Sequence, residues 1–188
     1  MGINKSVLKF RTINDISALE GFECGVNLMD SFIKNGLLDC IVSHYCVLYG
    51  CYNSDDILVG FVALSADSVT LDADDKDDLQ KGYSDTPAPN LPNTYDVFWQ
   101  KLKYPAIEIA YLAVAKQFRG KGIGSFIVES VCEKARSQSF VGCQFITVNA
   151  LYTSEYNAVG FYSRLHFARY GNIVVSSDIV PMYRTLYP

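Results

Sequence analysis

Apolar and polar positions repeat with two different periods along this chain, and the switches between them mark its elements. Val7–Thr12 reads as a first strand. From Leu28 to Leu38 the apolar residues fall at 28, 29, 32, 33 and 37, a spacing that predicts a helix. Tyr45–Tyr52 and Ile57–Ser65 are strand-like, and the cluster Asn53-Ser54-Asp55-Asp56 between them predicts a hairpin turn. Ala106–Val114 is an apolar run interrupted by Glu108 and reads as the central strand. Gly122–Gln138 is predicted as the main helix and Phe145–Ala150 as a strand. Ser154–Leu165 is predicted as a helix, with Thr153 or Ser154 able to cap it. Ile173–Val180 and Met182–Leu186 read as a closing strand or pair. Residues 72–103 follow neither period. Five Asp crowd Leu71–Asp78 and three Pro lie in Thr86–Asn93, so this segment reads as a loop-rich insertion with one short helix and a solvated acidic face. Strands alternating with helices in the second half predict an α/β (α+β layered) fold, with a mixed central sheet of about six or seven strands flanked by helices.

The length, 188 residues, predicts one domain over 1–188, and 49% hydrophobic residues are ample for a core. The net charge of −4 argues against a protein that works by coating nucleic-acid phosphates, but leaves room for a local basic cleft around Arg119, Lys121, Arg136, Arg164 and Arg169. The six cysteines form no C-x-x-C pair and no zinc spacing, so no metal is expected, and free thiols suit a reducing cytoplasm. Met1–Arg11 lacks the apolar core of a secretory signal, and no run reaches the roughly 18 apolar residues of a membrane span.

The most informative stretch is Tyr111–Ser125. An apolar strand ends at Val114, and a basic, glycine-rich turn with Arg119, Gly120, Lys121, Gly122 and Gly124 opens the apolar helix that follows. Such a turn suits a phosphate. The first N–H groups of a helix have no internal partner, the helix dipole adds positive charge, and glycines let the backbone come close to a ligand. The P-loop pattern fails because Gly122 follows Lys121 and no Gly stands at 115. The dinucleotide pattern fails because Ser125 follows Gly124 where it requires Gly. What remains, Arg119-x-x-Gly122-x-Gly124 overlapping Gln117-x-x-Gly120-x-Gly122, resembles the pyrophosphate loop of the GCN5-related N-acetyltransferases. Asn157, Phe161, Tyr162 and Phe167 match a second family segment, with His166 where the family usually has Gly. Phe22-Glu-Cys-Gly, Asp30 and Phe32, with Gly60-Phe61-Val62-Ala63-Leu64, resemble the acetyltransferases of toxin–antitoxin pairs, although Tyr111 stands where those toxins usually carry Arg.

The resemblance implies acetyl-coenzyme A as cosubstrate and a primary amine as acceptor, in a small molecule, a protein or an aminoacyl-tRNA. It implies that the backbone of Leu112, Ala113 and Val114 would bind the pantetheine arm. Arg119, Gly120, Lys121, Gly122, Ile123, Gly124 and Ser125 would hold the pyrophosphate, with Asn157, Phe161 and Arg164 as further donor contacts. Asn157 and Phe161, four apart, are expected to share a helical face. By resemblance Tyr162 is the general acid that protonates the departing thiolate. Its alternative is a core aromatic in a chain with 13 Tyr. Glu108 sits in an apolar strand where an unpaired carboxylate would be costly. It is either a structural ion pair or the base that deprotonates the amine. Cys24 reads as a small buried thiol, and His44 and His166 as structural. Three functions stay open: an N-acetyltransferase acting by direct attack, a toxin that acetylates aminoacyl-tRNA and is held by an antitoxin, and a non-catalytic acyl-coenzyme A-binding domain. A homodimer is compatible with each.

Overall fold

In a computed structural model, residues 7–81, 100–170 and 178–186 are described. Among the described residues seven strands form one mixed sheet: β1 (Lys9–Thr12), β2 (Val47–Tyr52), β3 (Leu58–Thr70), β4 (Lys103–Val114), β5 (Phe145–Leu151), β6 (Ala168–Arg169) and β7 (Ile179–Thr185), in the order β1-β2-β3-β4-β5-β7-β6. Helices α1 (Asn27–Asn35), α2 (Leu37–Val42), α3 (Ala73–Lys81), α4 (Ile123–Ser137) and α5 (Val159–Ser163) complete the α/β fold. The pairs β1–β2 and β2–β3 are antiparallel, β4–β5 is parallel, and β7 lies antiparallel to both β5 and β6. The expected hairpin is present. Asn53 Oδ1 accepts from the N–H groups of Asp55 and Ile57 (3.1 and 2.8 Å), a local bond that closes the turn, and Asp56 takes a positive φ of 61°.

The chain divides into two compact units, Met1–Ser65 with Ile109–Glu133 and Ala66–Glu108 with Lys134–Pro188. In the first, Leu19, Phe22, Ile33, Leu37, Leu48, Phe61 and Ala113 form the buried core. The helix predicted over 28–38 is two helices. Gly36 takes φ −127° and ψ −24°, which ends α1, and a Cβ there would stand 2.9 Å from the Phe32 ring. The break turns Leu37 fully inward while Leu38 stays 52% exposed. Gly60 explains the close packing of β3: a Cβ would meet the Ala113 carbonyl oxygen and Ile127 Cδ1, both at 2.9 Å.

The second unit is built on aromatic rings. Tyr104, Phe145, Tyr183 and Tyr170 follow one another edge to face at 5.6, 5.5 and 5.4 Å, with Val69, Leu71 and Leu79 packed beside them. The segment read as an insertion, 72–103, begins with α3 and ends in β4, and residues 82–99 lie outside the described residues. Its acidic run does more than face solvent. Asp72 Oδ1 accepts from Asp75 N (2.8 Å) and Asp75 Oδ2 accepts from Asp72 N (3.2 Å), a reciprocal cap that starts α3.

The helix expected over 154–165 shrinks to Val159–Ser163. Thr153 Oγ1 accepts from Tyr156 N (3.0 Å), and Asn157 Oδ1 accepts from Val159 N (2.9 Å). These side-chain bonds satisfy the backbone locally and compete with an extra helical turn. Neither Thr153 nor Ser154 caps the helix: the N-cap is Ala158, with no side-chain cap, and the oxygen that accepts from the first helical N–H is that of Asn157 one residue earlier. β6 is not anticipated by the sequence pattern, and residues 173–177 of the expected closing strand lie outside the described residues. Among the described residues no helix is long and apolar enough to cross a membrane.

Candidate acetyl donor site

In the first unit β4 delivers the chain into the glycine-rich turn. Leu112 and Val114 are half-buried on either side of buried Ala113, and a single 3-10 turn, Lys116–Phe118, follows. Ala115 N–H donates to the Val59 carbonyl (2.9 Å), which fixes the exit of the strand. Gly120 and Gly122 take φ of 72° and 82°, a left-handed geometry that only glycine adopts at little cost. Nothing lies within 4 Å of a Cβ built on Gly120. The helix begins at Ile123, and the first intrahelical bond runs from Phe126 N to the Gly122 carbonyl (3.0 Å). The N–H groups of Ile123, Gly124 and Ser125 are thus in the first turn, where no earlier helical carbonyl serves them. Buried Ile123 anchors the start of the helix in the core.

Two cations flank this turn. The Lys121 ammonium lies 5.1 Å from the Phe118 ring centroid, and Arg119 Nη1 donates to the Cys24 carbonyl (3.2 Å). An exposed basic turn of positive-φ glycines at a helix N-terminus fits an anionic pyrophosphate by charge, donors and space. Tyr111, in the place where the toxin branch carries Arg, stacks on Phe32 with centroids 3.9 Å apart. Burial, with a further push from Asp30, raises the Cys24 thiol to about 11, so it is no thiolate nucleophile at neutral pH.

In the second unit Glu108 pairs in register with Thr147, and its Oε1 accepts from Asn149 Nδ2 (3.0 Å). Thr147, itself buried, donates from Oγ1 to Asp67 Oδ2 (2.5 Å). Alternate residues of β5 therefore each tether one carboxylate. Neither Asn149 nor Thr147 stands out in the sequence, since both partners are distant along the chain. Asn157 does not share a helical face with Phe161, because it lies before α5, where its Oδ1 accepts from Val159 N. Phe161 and Tyr162 do meet, edge to face at 4.9 Å, and Arg164 is exposed at the helix C-terminus. Tyr162 is buried, and burial, with a smaller push from Tyr156, drives its hydroxyl well above the ordinary tyrosine range.

The C-terminal end of α5 is a Schellman motif. Phe167 N–H donates to the Tyr162 carbonyl (3.1 Å), His166 N–H to the Ser163 carbonyl (3.1 Å), and the Tyr162 and Phe167 rings touch at 5.3 Å. His166 fills the left-handed position with φ 63°, where glycine is usual. All six cysteines are free, and no cluster able to hold a metal occurs among the described residues.

The model of the acetyltransferase (GNAT) family matches residues 28–167. The chain belongs to this family of acetyltransferases, and acetyl-coenzyme A is its cosubstrate. No curated protein matches the chain. Among solved structures, a tyrosine-to-phenylalanine mutant of KacT is 21% identical, with 95% of each chain covered and a TM-score of 0.65. AtaTR bound with acetyl-coenzyme A is 18% identical, over 96% of this chain and 95% of that one, with a TM-score of 0.66. AtaT complexed with acetyl-methionyl-tRNA is 16% identical, over 93% of each chain, with a TM-score of 0.59. At these identities the likeness carries the fold.

Proposed function

We propose that this acetyltransferase holds acetyl-coenzyme A on the Arg119–Ser125 turn and moves its acetyl group to a primary amine by direct attack. Leu112, Ala113 and Val114 would offer backbone groups to the pantetheine arm, and Asn157, Phe161 and Arg164 further contacts. Glu108, oriented by Asn149, would take the amine proton, and Tyr162 would return a proton to the thiolate. Proximity of the two substrates supplies much of the rate in such a mechanism. Residues 1–188 act in this reading as one catalytic domain, supported by a family match that runs through parts of both units. Six free thiols favour the cytoplasm.

The observation that carries the reading is the pair of left-handed glycines, Gly120 and Gly122, opening α4 directly after β4. Gly122→Val would force a branched side chain into φ 82° and block the turn. Titration calorimetry is expected to find acetyl-coenzyme A binding to the parent protein and none to this variant. Normal affinity in a folded Gly122→Val protein would overturn the site.

A second reading is a toxin that acetylates aminoacyl-tRNA and is restrained by an antitoxin. It is favoured by the ordered Phe22–Asp30 turn at the position of the branch motif and by the likeness to AtaT, solved with acetyl-methionyl-tRNA. The net charge of −4 and Tyr111 weigh against it. Mass spectrometry of aminoacyl-tRNA, protein and metabolite fractions incubated with acetyl-coenzyme A separates the acceptors. Donor binding without any acetylated product would support the non-catalytic alternative, and light scattering decides the homodimer.

A further inference from the structure

Phe22–Asp30 folds into a clasp around one carboxylate. Asp30 Oδ1 accepts from Cys24 N (2.7 Å) and Oδ2 from Gly25 N (2.9 Å), so two consecutive N–H groups are held on two oxygens. Gly25 takes φ 78°, and a Cβ on it would stand 3.1 Å from Lys116 Cδ. Phe22 and Cys24 are buried, and the Phe22 ring packs edge to face on Phe61 at 5.3 Å. The outer side of the clasp is bound to the chain that leads into the glycine-rich turn. The Glu23 carbonyl accepts from Lys116 N (2.9 Å), and the Cys24 carbonyl accepts from Arg119 Nη1 (3.2 Å).

The choice of a carbonyl for Arg119 has a chemical consequence. A carbonyl accepts from a guanidinium along a defined direction and so orients the planar fork. The carboxylate of the clasp is instead directed at backbone N–H groups, and Gly25 N–H belongs to the same planar peptide unit as the Cys24 carbonyl that meets Arg119.

We infer that Asp30 is a positioning residue for the acetyl donor: through the Cys24–Gly25 turn it sets the carbonyl that holds Arg119 beside the phosphate-binding turn. The inference rests on the reading of Arg119–Ser125 as the pyrophosphate loop. It gives the Phe-x-Cys-Gly stretch and Asp30 a role in donor binding that their distance from the loop in sequence conceals.

A double-mutant cycle on acetyl-coenzyme A affinity, measured by titration calorimetry, tests it. Asp30→Asn keeps the shape but cannot accept both N–H groups, and is expected to weaken binding roughly three- to tenfold. Arg119→Gln is expected to weaken it at least as much. The double variant is expected to bind within twofold of Arg119→Gln alone, because Asp30 acts through Arg119. Gly25→Ala, which moves the same carbonyl by a different route, should show the same non-additivity and serves if Asp30→Asn melts as an unfolded protein. An Asp30→Asn protein that binds as the parent, or losses that multiply in the double variant, overturn the inference. Parent-like binding by Arg119→Gln also overturns it while leaving the loop intact. Parent-like binding by Gly122→Val would instead sink the loop reading itself.

Discussion

The Tyr162 ring is wedged between Phe161 and Phe167, and its burial keeps the phenol protonated across the neutral range. A raised pKa holds the proton in the resting state and also makes the phenol a weaker acid, so in this role the hydroxyl would have to donate within a direct hydrogen bond to the forming thiolate. On the mechanism proposed above, Tyr162→Phe keeps the ring and its packing but removes that proton. Turnover is then expected to fall about 10²- to 10⁴-fold with little change in acetyl-coenzyme A affinity. If the hydroxyl only supports the fold, the loss is confined to stability, at about 1 kcal/mol, and turnover stays within tenfold of the parent. Steady-state kinetics with any accepted amine, alongside a thermal melt, distinguishes the two. Tyr111 is a different kind of departure. Its stack on Phe32 joins α1 to β4 by ring contact at a place where the branch motif leads one to expect a cation.

Helix α5 ends on a residue that its geometry disfavours. His166 at φ 63° carries a Cβ penalty that glycine avoids, yet the Schellman bonds and the Tyr162–Phe167 contact hold it there. His166→Gly is expected to raise stability by about 0.5–1 kcal/mol, seen as a rise in Tm of about 1–4 °C. A lower Tm would mean that the imidazole makes a contact worth more than the strain. The same helix marks the limit of reading elements from periodicity. The apolar spacing of Val159, Phe161 and Tyr162 was legible. The start of the helix was not, because Thr153 and Asn157 close the preceding turn through their own side chains. Likewise the spacing over 28–38 identified the buried face but missed the break, since Gly36 is tolerated inside many helices and here leaves room for the Phe32 ring. α4 was legible almost to the residue, because Gly122 opens it and its apolar face runs unbroken to Ala135. β6 is two residues long and too short for any pattern.

Across the whole molecule, the parts of the candidate site carried by local pattern could be read from sequence: the glycine turn, the strand before it and the aromatic pair at 161–162. The parts built by contacts between distant segments could not: Asp30 on Cys24 and Gly25, Asn149 on Glu108, and Thr147 on Asp67. The cysteines give a test of the packing at this scale. Cys24, Cys46, Cys51 and Cys132 are buried, and Cys40 and Cys143 are partly so. Burial also pushes the Cys143 thiol up, and its Sγ donates to the Phe145 carbonyl at 3.3 Å. In a native thiol titration near pH 8, Cys40 is expected to react first and Cys143 slowly, with the remaining four reacting only after denaturation. Rapid native labelling of Cys51, which is fully buried and pushed up to about 11, would contradict the packing around β2. The position of β7 carries a different consequence, for synthesis. β7 is made after both strands it separates, β5 and β6. A nascent chain that has emerged as far as Tyr170 therefore exposes the unpaired edge of β5 and leaves β6 without a neighbour. For that interval the growing polypeptide is open to cross-pairing with a sister chain on the same polysome, and the exposure ends when Ile179–Thr185 pairs with both strands.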